Sequence, residues 1–425
     1  MRFECGPRAV AESAADGAVG ICLFDGAPGA GLAGAGGAAS ARIRSRKLAP
    51  ATLAWDFASL ALAAVVADTT AYRSSSPDGW TRELELNVAV SDPELWNSVT
   101  QPLTGALNFL TTDRWSLHFT GGAQHPSTPA KVHRPDADAV TLLSGGLDSL
   151  IGAIDLTAGG QSLLAVSQTV RGDRSTQSKF AASIGGGVEH LALNHNATPH
   201  RPGKETSQRA RSLAFIAFGI LAASSTARYY AGKDVTLYLC ENGFIAINPP
   251  LTPARLGSLS TRTAHPQFLG AIQEVLQAVG LEVVIENPFR EHTKGEMLRD
   301  CSDQPLLSSL AGESTSCGRF QRFGYRHCGR CVPCQVRRAA FLKWGTPDST
   351  DYVYSDLGRR DEDHAAFDDV RSVAMARASV DADGIDRWIG PSLSSPYIED
   401  REAIRAMLGR GVDELAALHR HLGVS

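Results

Sequence analysis

Apolar and polar residues alternate strictly through "RELELNVAV", with Leu84, Leu86, Val88 and Val90 on one side of the chain. That two-residue period predicts a half-buried strand, and "RWSLHFTGG" predicts a second. Between Leu53 and Ala67 the chain is rich in Ala and Leu, which predicts a helix. The earlier stretch "GAPGAGLAGAGGAASA" is low in complexity and reads as a flexible loop. Residues 1–130 are therefore expected to form a small α+β extension with antiparallel character. "PSTPAKVHRPDAD" is rich in Pro and polar residues and reads as a linker.

From Ala139 the pattern changes to short apolar runs alternating with helical periodicity. The runs "AVTLLS", "SLLAVSQ", "VEHLAL", "VTLYLCEN" and "LEVVIEN" predict strands. The helices fall at "SLIGAIDLTA", "SKFAASIG", "SQRARSLAFIAFGILAASSTAR" and "HPQFLGAIQEVLQAVG". Such alternation predicts an α/β fold with a doubly wound parallel sheet over residues 135–345. Residues 346–425 carry a charged helical pattern and are expected to form a helical cap or partner-facing region. No repeat at a fixed period is visible.

Composition narrows the function. The 425 residues are 43% hydrophobic and 20% charged, with a formal net charge of -4, as in ordinary globular proteins. The balance gives no electrostatic case for a nucleic-acid partner. No uncharged apolar run reaches the ~18 residues a membrane span needs; "LAWDFASLALAAVVADTTAY" comes closest, and Asp56 and Asp68 interrupt it. The opening "MRFECGPRAV" contains Glu4 and no long apolar run, so a signal peptide is not expected and the cytoplasm is the expected compartment.

Candidate chemistry concentrates in two places. The strand "AVTLL" runs directly into "SGGLDSL" and a helix. Gly145 and Gly146 let several backbone N–H groups converge on one point, and the helix aims its positive end there. Ser144 and Ser149 add hydroxyls, and Leu147 begins the helix. Asp148 is out of place beside a phosphate unless it holds Mg²⁺ or caps the helix. An anion such as pyrophosphate suits this turn, although a plain strand-to-helix turn has the same local form. No Gly-Lys-Ser/Thr follows, so it is not a Walker loop. "GAGLAG" at Gly29–Gly34 fits a dinucleotide fingerprint but lies in Ala/Gly-rich sequence, where the pattern arises by chance.

The second place holds most of the thiols. Five of the eight cysteines fall between Cys301 and Cys334, and "CGRCVPC" spaces Cys328, Cys331 and Cys334 two residues apart. Cys317 precedes them by a ten-residue loop. Four thiolates at this spacing suit a closed structural Zn²⁺ site, with His327 a lesser substitute for Cys317. An iron–sulfur cluster, a redox pair and unliganded core cysteines remain alternatives. Cys240 and Cys301 read as buried small hydrophobes.

The turn "SGGLDSL" resembles the PP-loop of the N-type ATP pyrophosphatases, whose fold is Rossmann-like (adenine nucleotide alpha hydrolase-like). Together with the cysteine motif it resembles the QueC, or 7-cyano-7-deazaguanine synthase, family over about Ala139 to Trp344. "RARSLAFIAFGILAA" is similar to that family's Arg-bearing helix, which aligns Arg211 with its Arg. "NPFREHTKGEMLRD" is similar to its Lys/Glu segment, aligning Lys294 and Glu296, and "CGRCVPCQVRRAAF" adds Arg337 and Phe341.

The resemblance implies an AMP- and pyrophosphate-forming carbon–nitrogen ligase using ATP and Mg²⁺. It would adenylate the carboxylate of 7-carboxy-7-deazaguanine and join it to nitrogen. Ser144, Asp148, Lys294 and Arg211 would serve catalysis, Ser144–Ser149 would bind nucleotide, and Cys317, Cys328, Cys331 and Cys334 would hold zinc. Arg171, Asp173 and Arg174 follow the second strand and are candidates to touch nucleotide or substrate. The match is loose between Glu241 and His265. The long extensions resemble QueC-like members of bacterial antiviral defence operons (Qat and type IV CBASS). That implies conjugation of the deazaguanine to a partner protein; the alternatives are nitrile synthesis with ammonia in deazapurine metabolism, and tRNA modification. A homodimer is compatible with the sequence.

Overall fold

The computed structural model describes residues 1–169, 172–252, 262–357 and 369–424. Two five-stranded sheets organise it, and every strand pair in both is parallel. The first sheet contains β1 (Arg2–Gly6), β2 (Ala18–Leu23), β3 (Ala33–Ala35), β4 (Glu83–Ala89) and β5 (Arg114–Thr120), in the order β3-β2-β1-β4-β5. The second contains β6 (Ala139–Leu142), β7 (Leu163–Gln168), β8 (Glu189–Leu193), β9 (Val235–Tyr238) and β10 (Val283–Glu286), in the order β10-β9-β6-β7-β8.

Helices of the first unit are α1 (Arg8–Glu12), α2 (Gly37–Ser45), α3 (Thr52–Thr70), α4 (Pro93–Ser98) and α5 (Thr100–Thr111). The second unit adds α6 (Leu147–Ala158), α7 (Arg174–Ser183), α8 (Arg211–Ala223), α9 (Ala227–Tyr230), α10 (Gly243–Ile247) and α11 (Pro266–Ala278). After these come α12 (Lys294–Asp300), α13 (Gln304–Leu310), α14 (Val332–Trp344), α15 (Asp369–Asp383), α16 (Ile385–Ile389) and α17 (Arg401–His421).

The expected parallel sheet after Ala139 is present strand for strand. The antiparallel character expected before residue 130 is not: β4 pairs in parallel with both β1 and β5. Alternation misled because only one face of this sheet is fully covered. Helices α3 and α5 pack on that face, while β5 keeps every second residue exposed. A parallel strand covered on one side alternates just as an antiparallel one does.

The Ala/Gly-rich stretch expected as a loop contributes β3 and α2. Its small residues serve close packing. A β-carbon on Gly37 would lie 2.1 Å from the Asp25 carbonyl oxygen, and one on Gly34 would lie 3.0 Å from the Cys22 carbonyl oxygen.

Helix α3 is the one described helix with the length and hydropathy of a membrane span. It is a core helix instead, packed between the first sheet and α8, with Asp56 and Asp68 buried on it. Asp56 accepts from Trp96 Nε1 (3.0 Å) and from the Ser91 amide (3.0 Å), which satisfies a carboxylate that would otherwise be costly to bury.

One apolar core spans both units, because α3 packs on α8 and α5 on α11. At the edge of the second sheet Gln273 caps the free side of β10, donating to Val283 O (3.2 Å) and accepting from Ile285 N (2.7 Å). That blocks pairing by a further strand. The C-terminal helices form a separate cluster, with α17 lying on α10 and α14.

Candidate functional site

The turn after β6 holds the shape its glycines suggest. Gly145 has φ +86°, a left-handed conformation that a side chain would strain. The Ser144 and Ser149 hydroxyls lie 3.0 Å apart, and Ser149 Oγ also accepts from the Ser144 amide (3.2 Å). Gly146 caps α6, a 12-residue helix whose positive end faces the turn. Leu147 is the first residue of α6 and is buried, so it anchors the turn through packing.

Two bonds from outside the turn fix its backbone. The Thr315 amide donates to Gly145 O (2.9 Å), and Gln177 Nε2 donates to Ser144 O (3.1 Å) and Gln168 O (3.2 Å). Neither residue is suggested by any motif in the sequence.

Asp148, in the first turn of α6, pairs with Lys294, the first residue of α12. Their Oδ1–Nζ distance is 2.7 Å, and both side chains are more than nine-tenths buried. The other Asp148 oxygen accepts from Asn242 Nδ2 (2.8 Å). Burial alone would raise the Asp148 pKa; the ammonium of Lys294 and hydrogen bonds with Glu241, Lys294 and Asn242 bring it down to about 2. Glu241 and Asn242 follow β9, the strand beside β6 in the sheet. This is the crevice at the carboxyl ends of the strands where the strand order reverses, the usual ligand position in such sheets. Asp148 and Glu241 are the hard oxygen donors here that suit Mg²⁺.

Lys294 is placed by a capping box. Thr293 Oγ1 accepts from the Glu296 amide (3.1 Å), and Glu296 Oε2 accepts from the Thr293 amide (2.9 Å). Arg410 of α17 then binds Glu296 Oε1 at 2.5 Å. Glu296 is therefore a structural capping residue that orients the helix bearing Lys294.

Arg211 opens α8 at the same edge of the sheet and is partly buried. Burial lowers its pKa, and the carboxylates of Asp173 and Asp68 oppose that shift. His195 lies near enough to Arg211 that burial first, then this charge, brings its pKa down to about 4. Asp173 sits directly before α7, 3.7 Å from where a β-carbon on Gly145 would be. Arg174 is exposed at the start of α7. Arg171 lies outside the described residues.

The four cysteines converge. The Sγ atoms of Cys317, Cys328, Cys331 and Cys334 all lie within 4.8 Å of one another, and two of the pairs are 3.9 Å apart. Tetrahedral thiolates ~2.3 Å from one Zn²⁺ would be separated by about 3.8 Å, so the group fits a single ion. It is too tight to enclose an iron–sulfur cluster. The Arg319 and Cys328 amides donate to Cys317 Sγ (3.4 Å each), and the Cys331 amide to Cys328 Sγ (3.3 Å). His327 is not part of the group: its Nε2 accepts from the Ser316 amide (3.1 Å). Cys240 and Cys301 are buried elsewhere, and burial pushes each thiol up to about 12.

Arg337 links the cysteine group to the turn. It is fully buried, and its guanidinium donates to Ala311 O (2.6 Å), Ser314 Oγ (2.8 Å), Ser316 Oγ (3.1 Å) and Thr350 Oγ1 (2.9 Å). Residues 311–316 are thereby held in place, and Thr315 is the residue bonded to Gly145. Phe341, one turn along α14, is buried with its ring 5.0 Å from the Arg337 guanidinium carbon. On the other side of the cysteine loop Tyr325 covers Gly172, where a β-carbon would lie 2.6 Å from its ring.

A parallel doubly wound sheet with this turn at its first strand defines a Rossmann-like PP-loop protein. Comparison with known proteins then narrows the class. Residues 263–345, which include Lys294, Arg337 and all four cysteines of the group, match the family described as Queuosine biosynthesis protein QueC. The chain is similar to the 7-cyano-7-deazaguanine synthase of Ectopseudomonas mendocina, 27% identical over 244 residues. That alignment takes in 51% of this chain and 99% of that protein. The synthase of the same name from Novosphingobium aromaticivorans is 28% identical over 253 residues, 53% of this chain and 98% of its own length. That of Agrobacterium fabrum is 29% identical over 142 residues, 33% and 50% respectively. The chain is QueC-like, with about half its length outside the alignments to the two relatives covered almost end to end.

Proposed function

We propose that this protein activates the carboxylate of a 7-deazaguanine acid with ATP and delivers it to nitrogen, with 7-cyano-7-deazaguanine as the product when the nitrogen source is ammonia. The observation supporting this most strongly is the Asp148–Lys294 pair, which puts a buried cation beside the phosphate-type turn. Similarity to 7-cyano-7-deazaguanine synthases over almost their whole length supports the substrate class.

A carboxylate is a poor acyl donor, whereas its adenylate is a good one. In this reading the carboxylate oxygen attacks the α-phosphorus, the α–β bond breaks, and pyrophosphate leaves. The amides around Gly145 and Gly146, the hydroxyls of Ser144 and Ser149, and the start of α6 receive the departing charge. Lys294, paired with Asp148, and Arg211, at the start of α8, would add positive charge. Asp148 holds the Lys294 ammonium in place rather than accepting a proton, since its carboxyl stays ionised down to about pH 2. Mg²⁺ bound by Asp148 and Glu241 would supply further charge neutralisation at the phosphates.

Ammonia then displaces AMP to give the amide. Conversion of amide to nitrile removes its oxygen, and adenylation of that oxygen by a second ATP lets it leave as AMP. The four thiolates have a structural task, holding the wall that presses Thr315 onto the turn. The proposed use of ATP supports a cytoplasmic location.

Attachment to a partner protein in antiviral defence is the finer reading; it rests only on the added N-terminal unit and C-terminal helices. One incubation separates the two. With ATP, Mg²⁺, 7-carboxy-7-deazaguanine and ammonia, mass spectrometry is expected to find the amide and nitrile with AMP and pyrophosphate. Absence of both products with ammonia, and a deazaguanine mass added to a co-expressed protein, would replace ammonia with a protein amine as acceptor. No AMP under any of these conditions would overturn the proposal.

A further inference from the structure

The two sheets share one topology. Counted from its own first strand, each runs 3-2-1-4-5 with all strands parallel. Their equivalent helices also meet. Helix α3, between the third and fourth strands of the first sheet, packs on α8, which occupies the same place in the second. Helix α5, between the fourth and fifth strands, packs on its counterpart α11.

The first of these pairs is antiparallel. The Ala51 amide at the start of α3 donates to Ser224 Oγ at the end of α8 (3.3 Å). Asp68 at the end of α3 accepts from the Arg209 (2.5 Å) and Ala210 (2.8 Å) amides at the start of α8. In the second pair, Arg262 ahead of α11 donates to Phe109 O near the end of α5 (2.9 Å). Exchanging the two units maps each pair onto itself, which is the signature of a local two-fold axis.

The first unit lacks the phosphate cradle of the second. Only Pro7 separates β1 from α1, whereas four residues separate β6 from α6. Pro7 has no N–H to offer, and α1 is five residues long. The crevice between β1 and β4 is filled: a β-carbon on Gly6 would lie 2.9 Å from Ala89 Cβ and 3.1 Å from Val10.

What this unit does offer is a buried ion network at the end of α3. Asp68 and Asp113 share Arg82 (2.5 and 2.6 Å), and Arg73 binds Asp113 (2.9 Å). Held by these arginines, the Asp68 carboxylate fixes the two amides that lead directly into Arg211 and α8, and its charge reaches the Arg211 guanidinium.

We infer that the N-terminal unit is a nucleotide-free counterpart of the PP-loop unit, docked across a local two-fold axis, and that its Asp68 is a positioning residue for Arg211. Since Arg211 is assigned to the phosphates, this rests on the nucleotide-binding part of the proposed function; it is independent of the acid substrate.

The test is calorimetric titration of the full-length protein with a non-hydrolysable ATP analogue, with circular dichroism as the check on folding. Wild type is expected to bind one nucleotide per chain. Asp68→Ala is expected to weaken binding about tenfold, and Asp68→Asn, which keeps an acceptor oxygen but loses the charge, about threefold. In the Arg211→Gln background the effect of either Asp68 change should fall to near zero, because the two residues act together. Two nucleotides per chain would overturn the inference. So would folded Asp68 variants with wild-type affinity, or effects at Asp68 and Arg211 that simply add. If the analogue binds as expected but the deazaguanine acid produces no turnover, the substrate assignment fails and this inference stands.

Discussion

The proposed chemistry rests on one buried ion pair. Lys294 keeps Asp148 ionised, and Asp148 keeps the ammonium beside the turn, so loss of either leaves an uncompensated buried charge. Lys294→Met is expected to lower acid-dependent ATP–pyrophosphate exchange at least ~100-fold, as removal of a charge-stabilising donor does elsewhere. It should also alter acid unfolding. The Asp148 pKa is depressed to about 2 in the folded protein. Its contribution to stability is therefore complete above the ordinary carboxylate range, near 4, and is lost as pH falls toward 2. Without Lys294 that loss moves to higher pH, so the acid midpoint of the variant, followed by circular dichroism, should rise. An unchanged midpoint would mean that the pair does not hold Asp148 ionised. At this scale the glycines and serines of the turn were readable from local spacing alone. The resemblance had aligned Lys294, but its bond to Asp148 was not readable, because the two residues lie far apart in sequence and meet only through the strand order.

Helices α14 and α17 transmit order to that pair. Arg337 is buried with only neutral acceptors among its bonds, and its removal takes their charged donor from the Ser316 and Thr350 hydroxyls and loosens residues 311–316. Arg337→Met should cost roughly 3 kcal/mol or more of stability by urea unfolding. It should also raise the KM for ATP, because Thr315 would no longer be pressed onto Gly145. A stable variant with unchanged KM would break the proposed link between the thiolate group and the turn. Stripping metal with a strong chelator is expected to release one Zn²⁺ per chain, measured by a colorimetric zinc assay, and to abolish exchange together with the fold of residues 311–334.

Glu414 of α17 works in the opposite sense from Asp148. It accepts from Thr293 Oγ1 (2.5 Å), and burial, together with the nearby Glu296, pushes its carboxyl up to about 7 against the opposing hydrogen bonds from Thr293 and the Gly295 amide and the charge of Lys343. A raised carboxyl pKa favours the folded state while protonated, and that contribution fades as pH rises from about 4.5 to 7. Glu414→Gln should therefore raise the thermal midpoint at pH 8 more than at pH 5, and an equal change at both would contradict the assignment. The cysteine spacing made the first of these elements legible. The contact of α17 with the site was not, because Arg410 and Glu414 resemble ordinary charges on an amphipathic helix.

Across the whole molecule, two parallel sheets share one core, and among the described residues the glycine turn proposed to hold phosphate follows the first strand of the second sheet. The alternation of strands and helices after Ala139 foretold that second sheet. The first was misread because one-sided covering gives parallel strands an antiparallel pattern, and because β3 and α2 are built from a stretch that looks featureless. Their common topology left no sequence repeat, since parallel order depends on apolar spacing and crossover length rather than on particular side chains.

Adenylation of a deazaguanine carboxylate at the turn Ser144–Ser149 is the step on which the proposed function depends. The most direct measurement is exchange of labelled pyrophosphate into ATP, with and without 7-carboxy-7-deazaguanine and with no nitrogen source present. Exchange that requires the acid and disappears in Lys294→Met is the predicted result. Exchange that proceeds equally without the acid, or none at all in protein that binds ATP, would contradict it.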